Sequence, residues 1–339
     1  MLRIGIAFSV KPENPRPEGP DDFYEEFDTP ETIEALAEAI RGDGHDVLLL
    51  GDGREFLRKM LDAPPDFVFN FAEGQGVSRN REARVPAVCE MLGVPYSGSD
   101  PLTMAAALDK DMARLLVESW DGLCPNGTVF PIDTPRDIVE DEITALLTDD
   151  MSGTVILKPN AEGSSKGIRG ACLATSGEEA LEVFERLVLD YQQPVLVEEF
   201  IDGEEVTVGV LGNGDDVRVL GIMRILPKNA DVPFVYSLEV KRDWKSRVDY
   251  EAPANFPGTT LKAIEEAALL AYKALGCRDV ARIDFRILEE DVFFIEVNPL
   301  PGLAPVSSDL VILAQGYGIS HGELVRMILR TALKRVGLS

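Results

Sequence analysis

The sequence predicts a mixed chain, α/β at its start and α+β beyond. An open parallel sheet with helices comes first, and antiparallel β structure follows. Three observations predict this. The early residues alternate apolar strand-like runs with helix-like ones. Ala281, Ile283, Phe285 and Ile287 alternate with Arg282, Asp284 and Arg286, and a second strand-like run, Phe293–Asn298, follows across the polar turn Glu289-Glu290-Asp291. The length of 339 residues exceeds one ordinary core, so two or three domains are expected.

In order, Ile4–Phe8 is the first strand. Residues 11–27, rich in Pro and acids, form a long loop at its carboxyl end, where open α/β sheets place their ligands. Thr29 and Pro30 are an N-cap and first-turn proline. Ile33, Leu36, Ala37 and Ile40 give the helix an apolar face, and Gly42 and Gly44 stop it. Val47–Leu50 and Phe67–Asn70 are strands, and Val85–Leu92 is a helix. A second segment begins near Pro101 with a helix over Asp109–Glu118, followed by a connection punctuated by Pro125, Pro131 and Pro135. Strand Val155–Leu157 runs into Lys158. A helix over 177–190, strand Pro194–Glu198, β structure around a loop at 226–256, a helix over 258–275, the hairpin and an amphipathic helix within 318–336 complete the chain.

Composition excludes several classes of function. The net charge of −26 argues against nucleic acid or an anionic membrane as partner. No apolar run reaches the ~20 residues of a membrane span. Met1–Phe8 lacks the length and cleavage pattern of a signal peptide. The four cysteines (Cys89, Cys124, Cys172, Cys277) are scattered without a C-x-x-C, as expected of reduced thiols in the cytoplasm. With two histidines, His45 and His321, imidazole catalysis has little support. Gly51-Asp52-Gly53 lacks the third glycine of a dinucleotide fingerprint, Phe56 standing there.

The hairpin carries the chemistry. If its turn folds symmetrically about Glu290, Asp284 faces Glu296 and Arg282 faces Asn298. Two carboxylates and an amide oxygen then share one sheet face, hard ligands that suit Mg²⁺ rather than zinc. Residues 158–167 form a Gly/Ser-rich loop after a strand ending in Lys158. Backbone N–H groups and the Ser164 and Ser165 hydroxyls can approach phosphate there, although the spacing is not that of a Walker loop. Val197–Ile201 with Glu205 offers Glu198 for an exocyclic amine, Phe200 for a purine face and Glu205 for ribose hydroxyls.

Taken together these pieces resemble the ATP-grasp superfamily and, within it, the D-alanine–D-alanine ligases. The carrying residues are Leu108-Asp109-Lys110, Lys158-Pro159 with Glu162-Gly163-Ser164-Ser165, Val197–Ile201 with Glu205, Arg282-Ile283-Asp284, and Glu296-Val297-Asn298-Pro299 with Pro301-Gly302 and Ser307. Val94–Ser99 adds to the set, which spans about residues 67–335 in the family's order.

The resemblance implies an ATP-grasp fold of three domains, set here at 1–103, 104–192 and 193–339, with ATP clasped between the antiparallel sheets of the last two. It implies a carboxylate–amine ligase that activates a carboxylate as an acyl phosphate and forms a peptide bond. Lys110 and Lys158 would hold the α- and β-phosphates, and Glu162 and Ser165 belong to the same nucleotide site. Glu198, Phe200, Ile201 and Glu205 would hold adenosine. Asp284, Glu296 and Asn298 would bind two Mg²⁺ ions, with Mn²⁺ as a substitute. Lys241 would contact the γ-phosphate, Arg282 and the Gly302 amide would stabilise the oxyanion, and Ser164 would sit near the reacting groups. Ser307 and Ser308 would receive the carboxylate of the amine-bearing substrate. The family's frequent pairing through the N-terminal domain implies a homodimer, and its substrates are small amino acids or peptides.

Departures from the pattern cluster where substrate identity is decided. The Gly-Gly-x-Ser-x-Glu signature, whose Glu holds an ammonium, is replaced by Phe8-Ser9-Val10 and the 11–27 loop. Glu73-Gly74 stands for His-Gly, and Arg242 for the tyrosine after Lys241, which makes Glu73 and Arg242 candidate substrate residues. Glu25, Glu26 or Asp28 would replace the missing ammonium partner. The same chemistry on other amino acids or a peptide therefore stays open, as does a nucleotide-binding protein without turnover.

Overall fold

The computed structural model describes residues 1–12, 19–149, 153–229 and 233–338. Part of the expected loop at 11–27 (residues 13–18) and of the expected loop at 226–256 (residues 230–232) lies outside the described residues.

The N-terminal elements are β1 (Arg3–Phe8), α1 (Pro30–Gly42), β2 (Asp46–Gly51), α2 (Gly53–Asp62), β3 (Phe67–Phe71) and α3 (Arg84–Leu92). The three strands form a parallel sheet in the order β2-β1-β3, with Ile4, Ile6, Phe67 and Phe69 buried as the unbroken apolar runs predict. Thr29 caps α1, whose buried residues include Ile33, Leu36, Ala37 and Ile40. The sequence Gly51-Asp52-Gly53 serves local structure: Asp52 is the N-cap of α2, and both glycines have positive φ, +73° and +58°. Helix α2 itself escaped the sequence reading.

Helices α4 (Pro101–Leu108) and α5 (Lys110–Glu118) follow, then β4 (Gly127–Phe130), α6 (Arg136–Asp149), β5 (Val155–Pro159), β6 (Leu173–Ala174), α7 (Gly177–Tyr191) and β7 (Val195–Glu199). The four strands make an antiparallel sheet in the order β4-β7-β5-β6. Its apolar face is covered by α6 and α7, with Val139, Ile143, Phe184 and Leu187 packed on Val155, Leu157 and Val197. Strand β7 thus pairs within the central sheet, although the boundary expected at 192/193 places it with the C-terminal part. The proline-punctuated connection contains a strand and a helix, because Pro125 and Pro135 precede these elements and Pro131 follows the strand.

The last sheet runs β10-β9-β8-β11-β12 and is antiparallel. Its strands are β8 (Glu204–Gly212), β9 (Arg218–Pro227), β10 (Val248–Glu251), β11 (Asp279–Leu288) and β12 (Asp291–Asn298). Short helices α8 (Leu238–Arg242) and α9 (Trp244–Arg247) lie within the expected 226–256 loop. Helix α10 (Gly258–Ala274) covers the sheet's apolar face, its Ile264, Ala268 and Ala271 packing with Val206, Val208, Ile283 and Phe285. That contact fixes which way the hairpin faces. Ala281, Ile283, Phe285 and Ile287 go to the core, and Arg282, Asp284 and Arg286 go to the other side. Helices α11 (Asp309–Gly316) and α12 (His321–Arg335) return to the N-terminal sheet. Leu324, Ile328 and Leu329 share one buried cluster with Ile4, Leu36 and Phe69.

Candidate active site

The hairpin register sets the site. Arg282 pairs with Asn298 and Asp284 with Glu296, as expected, by a route the sequence hid. The turn is the two residues Glu289-Glu290, since Leu288 already pairs with Asp291, and the register shifts between Asp284 and Phe285, where Ile295 is the extra residue on β12. The bulge restores the facing of the polar residues. Asp284 and Glu296 consequently lie side by side with Arg282 between them. The Arg282 guanidinium donates to Asp284 Oδ1 at 3.1 Å and Oδ2 at 2.8 Å, and to Glu296 Oε1 at 3.2 Å, while Thr207 Oγ1 donates to Asp284 at 2.8 Å. Lys110 Nζ reaches Glu296 Oε2 at 3.2 Å and the Glu162 carbonyl at 2.6 Å.

These contacts split the two carboxylates electrostatically. Burial pushes Asp284 up to about 6, with Arg282 opposing and Glu296 adding to the rise. Burial also acts on Glu296, but the charges of Lys110, Arg282 and Lys241 outweigh it and hold that carboxyl well below the usual range. Two carboxylates and an amide on one face fit a hard divalent cation with phosphate oxygens completing its shell. Among the described residues no three His, Cys, Asp or Glu side chains converge to hold a metal by themselves. The donor set here contains two acids plus Asn298.

Two cavities meet at this face. The first lies between the central and C-terminal sheets. Lys158, Glu198, Phe200 and Ile201 line it from one side, and Glu205, Asp284, Ile295 and Glu296 from the other, and Ser165 and Lys241 also line it. Lys158 and Glu198, both buried on adjacent strands, pair with each other. Arg286, absent from the sequence-derived set, arranges the Phe200 end. It donates to Glu205 Oε2 at 2.6 Å and lies 4.9 Å from the Phe200 ring centre. Ser164 and Ser165 both adopt left-handed φ, +50° and +57°, a strained pair in the Gly/Ser loop. Ser165 Oγ is tied to the Tyr236 carbonyl at 3.1 Å.

The second cavity is lined by Ser164, Arg282, Asn298, Gly302, Ser307 and Ser308, and by Glu73 and Glu82 from the N-terminal part. It shares Lys241 and Tyr236 with the first. Ser308 Oγ accepts from the Ala304 amide at 2.8 Å. A Cβ on Gly302 would stand 2.8 Å from that hydroxyl, so the close turn depends on glycine. Tyr236 and Asp309, also missed in the sequence, are joined at 2.9 Å, and Lys241 Nζ lies 4.9 Å from the Tyr236 ring centre.

Two expected residues face elsewhere. Glu162 lines neither cavity. Its carboxylate is the hub of a buried network, accepting from Lys166 at 2.5 Å, Gln193 at 2.8 Å and Arg81 at 3.1 Å. Arg242 is drawn out to the segment after β1, donating to Asp21 at 2.8 Å and Glu25 at 2.9 Å. Residues 21–26 of that segment are stitched down at several points. Asp22, fully buried, accepts from the Gly167 amide at 3.0 Å and Tyr191 at 2.7 Å, and Glu26 accepts from Arg81 and the Gly163 amide, both at 2.7 Å. Burial alone would raise Glu26, but Arg81, Lys166 and the amide hold it below its ordinary range.

Three other acids in the second cavity are unlike Glu26. Asp28, Glu73 and Glu82 have no side-chain hydrogen bond or ion pair among the described residues. Burial pushes Asp28 up to about 7 against the charge of Lys11. Glu82 is pushed up to about 8 by burial, against Arg81 and Lys110 and with Glu26 and Glu162 adding. Glu73 is raised by burial and by the charges of Glu82, Glu26 and Asp28.

Residues 132–330 match the family described as D-ala D-ala ligase C-terminus. A D-alanine–D-alanine ligase of Fervidobacterium nodosum is 30% identical over 310 residues, covering 89% of this chain and 93% of that protein. One of Aquifex aeolicus is 32% identical over 302 residues, 88% and 93% of the two chains. The crystal structure of D-alanine–D-alanine ligase from Bacillus anthracis complexed with ATP superposes with a TM-score of 0.74 at 21% identity, over 98% of both chains, which gives the expected ATP-grasp fold. With the family's C-terminal half matched along 132–330 and whole-length relatives at this identity, the chain belongs to the D-alanine–D-alanine ligase family.

Proposed function

We propose that this protein is an ATP-dependent carboxylate–amine ligase of the D-alanine–D-alanine ligase type. A carboxylate oxygen of one amino acid attacks the γ-phosphorus of ATP and ADP leaves. The amine of a second substrate then attacks the acyl carbon, a proton is lost, and phosphate leaves with the original carboxylate oxygen. The observation that carries this reading is the shared hairpin face, where Asp284, Glu296 and Asn298 stand at the seam of the two cavities beside Arg282.

The first cavity suits the nucleotide: an apolar wall at Phe200 and Ile201, acceptors at Glu198 and Glu205, and cations at Lys158 and Lys241. Two Mg²⁺ ions held by Asp284, Glu296 and Asn298, with Mn²⁺ as a substitute, would spread the charge of the transferring phosphoryl group. Lys110 positions Glu296 and the Glu162 carbonyl and so fixes the loop that follows β5. In the second cavity Arg282 and the Gly302 amide would face a developing oxyanion, such a donor contributing ~3 kcal/mol at the transition state. Ser307 and Ser308 would receive a substrate carboxylate.

We also read the three sheets as three domains, with the second boundary after β7. The protein is proposed to act in the cytoplasm as a homodimer, and no helix among the described residues is long and apolar enough to cross a membrane. Incubation with ATP, Mg²⁺ and mixed D- and L-amino acids, followed by ADP assay and mass spectrometry of the products, tests the function. No ADP release with any amino acid or dipeptide would refute it.

A further inference from the structure

The second cavity has two chemically different ends. Arg282, Gly302, Ser307 and Ser308 make one of them, an end that donates hydrogen bonds. Asp28, Glu73 and Glu82 make the other. Asp28 follows β1 and shares a bridge with Val10. Glu73 follows β3, and Glu82 precedes α3. Neighbouring acids are already answered: Glu25 by Arg242, Glu26 by Arg81 and Lys166, and Asp309 by Arg282 and Tyr236. Asp28, Glu73 and Glu82 have no such partner among the described residues, and Glu82 keeps only 5% of its surface exposed. Glu82 is buried, while Asp28 and Glu73 are partly exposed at the cavity wall. A carboxylate held out of bulk water without a partner is costly, so three around one cavity, one of them buried, point to a cation that belongs there.

The cation is not a metal ion held by side chains alone, since no three acids converge to bind one among the described residues. Donors spread over an organic molecule meet that condition. Lys11, Arg81 and Lys110 act on these acids through space without bonding to them. A single α-ammonium answers one carboxylate well, which leaves the others without a hydrogen-bonded partner. The acid end also borders the phosphate machinery, because Glu82 feels the charge of Lys110, the lysine on Glu296.

We propose that the amino acid whose carboxylate is activated carries a second cationic group, a diamino or guanidino acid, with its ammonium and side-chain cation held among Asp28, Glu73 and Glu82. This rests on the ligase reading and names the substrate class of that site.

The test measures binding and turnover separately. Lysine, ornithine and arginine, each as D and L forms, are compared with alanine and the uncharged norleucine. Binding is read by calorimetry in the presence of Mg²⁺ and a non-hydrolysable ATP analogue, and turnover by ADP release. A basic amino acid is expected to bind at least tenfold more tightly than norleucine. Glu82→Gln and Glu73→Gln are each expected to cut that preference about tenfold or more, as removal of one partner of a buried charge pair does. Two variants keep the test open if one fails to fold. Binding of a basic amino acid without ADP release supports the pocket assignment and removes the ligase reading. ADP release with alanine, with no preference for any basic amino acid, keeps the ligase reading and overturns the proposal, as does a preference unchanged in both variants.

Discussion

Replacing Glu82 with Gln should stabilise the protein, and only at high pH. Glu82 is 5% exposed, has no partner side chain, and is surrounded by Glu73, Glu26 and Glu162, with Arg81 and Lys110 as the opposing charges. Burial and these acids lift its titration from 4.5 to about 8. Between those values the folded protein keeps the proton and the unfolded chain has lost it. The unfolded state therefore binds fewer protons, and stability falls as pH rises through the window. Each unit of such a shift corresponds to about 1.4 kcal/mol, so the wild-type penalty at pH 8 is about 4 kcal/mol. Gln carries no charge and escapes it. A chain of this length should gain about 6 °C in melting temperature at pH 8 and close to nothing at pH 4. Differential scanning calorimetry of both proteins at the two pH values measures this. An equal gain at both, or a loss at pH 8, would refute the reasoning. A stabilising substitution at a site wall is the expected signature of a group kept for its ligand.

Other outcomes follow from the same contacts. Arg81→Met leaves Lys166 as the one cation bonded to Glu26 and Glu162 among the described residues of a buried network, and should cost about 3–5 kcal/mol in a denaturant titration. Glu296→Gln and Asp284→Asn should each lower ADP release at least ~100-fold at fixed Mg²⁺, and chelation of Mg²⁺ should abolish it until the ion is restored. Arg242→Ala breaks half-exposed pairs with Asp21 and Glu25, so the melting free energy should change by less than about 1 kcal/mol while limited proteolysis within 19–28 becomes faster.

Much of this was written in local sequence pattern. Period-two alternation gave the hairpin's two faces, and helix α10 settled which one is buried. The facing of Asp284 and Glu296 was legible although the turn was misjudged, because the two-residue turn and the extra residue Ile295 offset each other. Thr29 and Asp109 marked helix starts that the structure reproduces. Helices α4 and α6 and strand β4 were hidden by prolines that delimit elements rather than interrupt them. The contacts of Glu26 with Arg81 and of Asp22 with Tyr191 join residues 55 and 169 positions apart, for which one sequence holds no signal. Glu162 shows the same limit: its place in a motif pointed to nucleotide, while its carboxylate serves Arg81, Lys166 and Gln193.

Oxygen transfer tests the central claim most directly. Amino acids labelled with ¹⁸O in the carboxylate are incubated with ATP and Mg²⁺, and the released phosphate is analysed by mass spectrometry. Attack of the carboxylate on the γ-phosphorus at the Asp284–Glu296 face predicts one ¹⁸O in each phosphate formed alongside the new amide. Unlabelled phosphate accompanying product would contradict it.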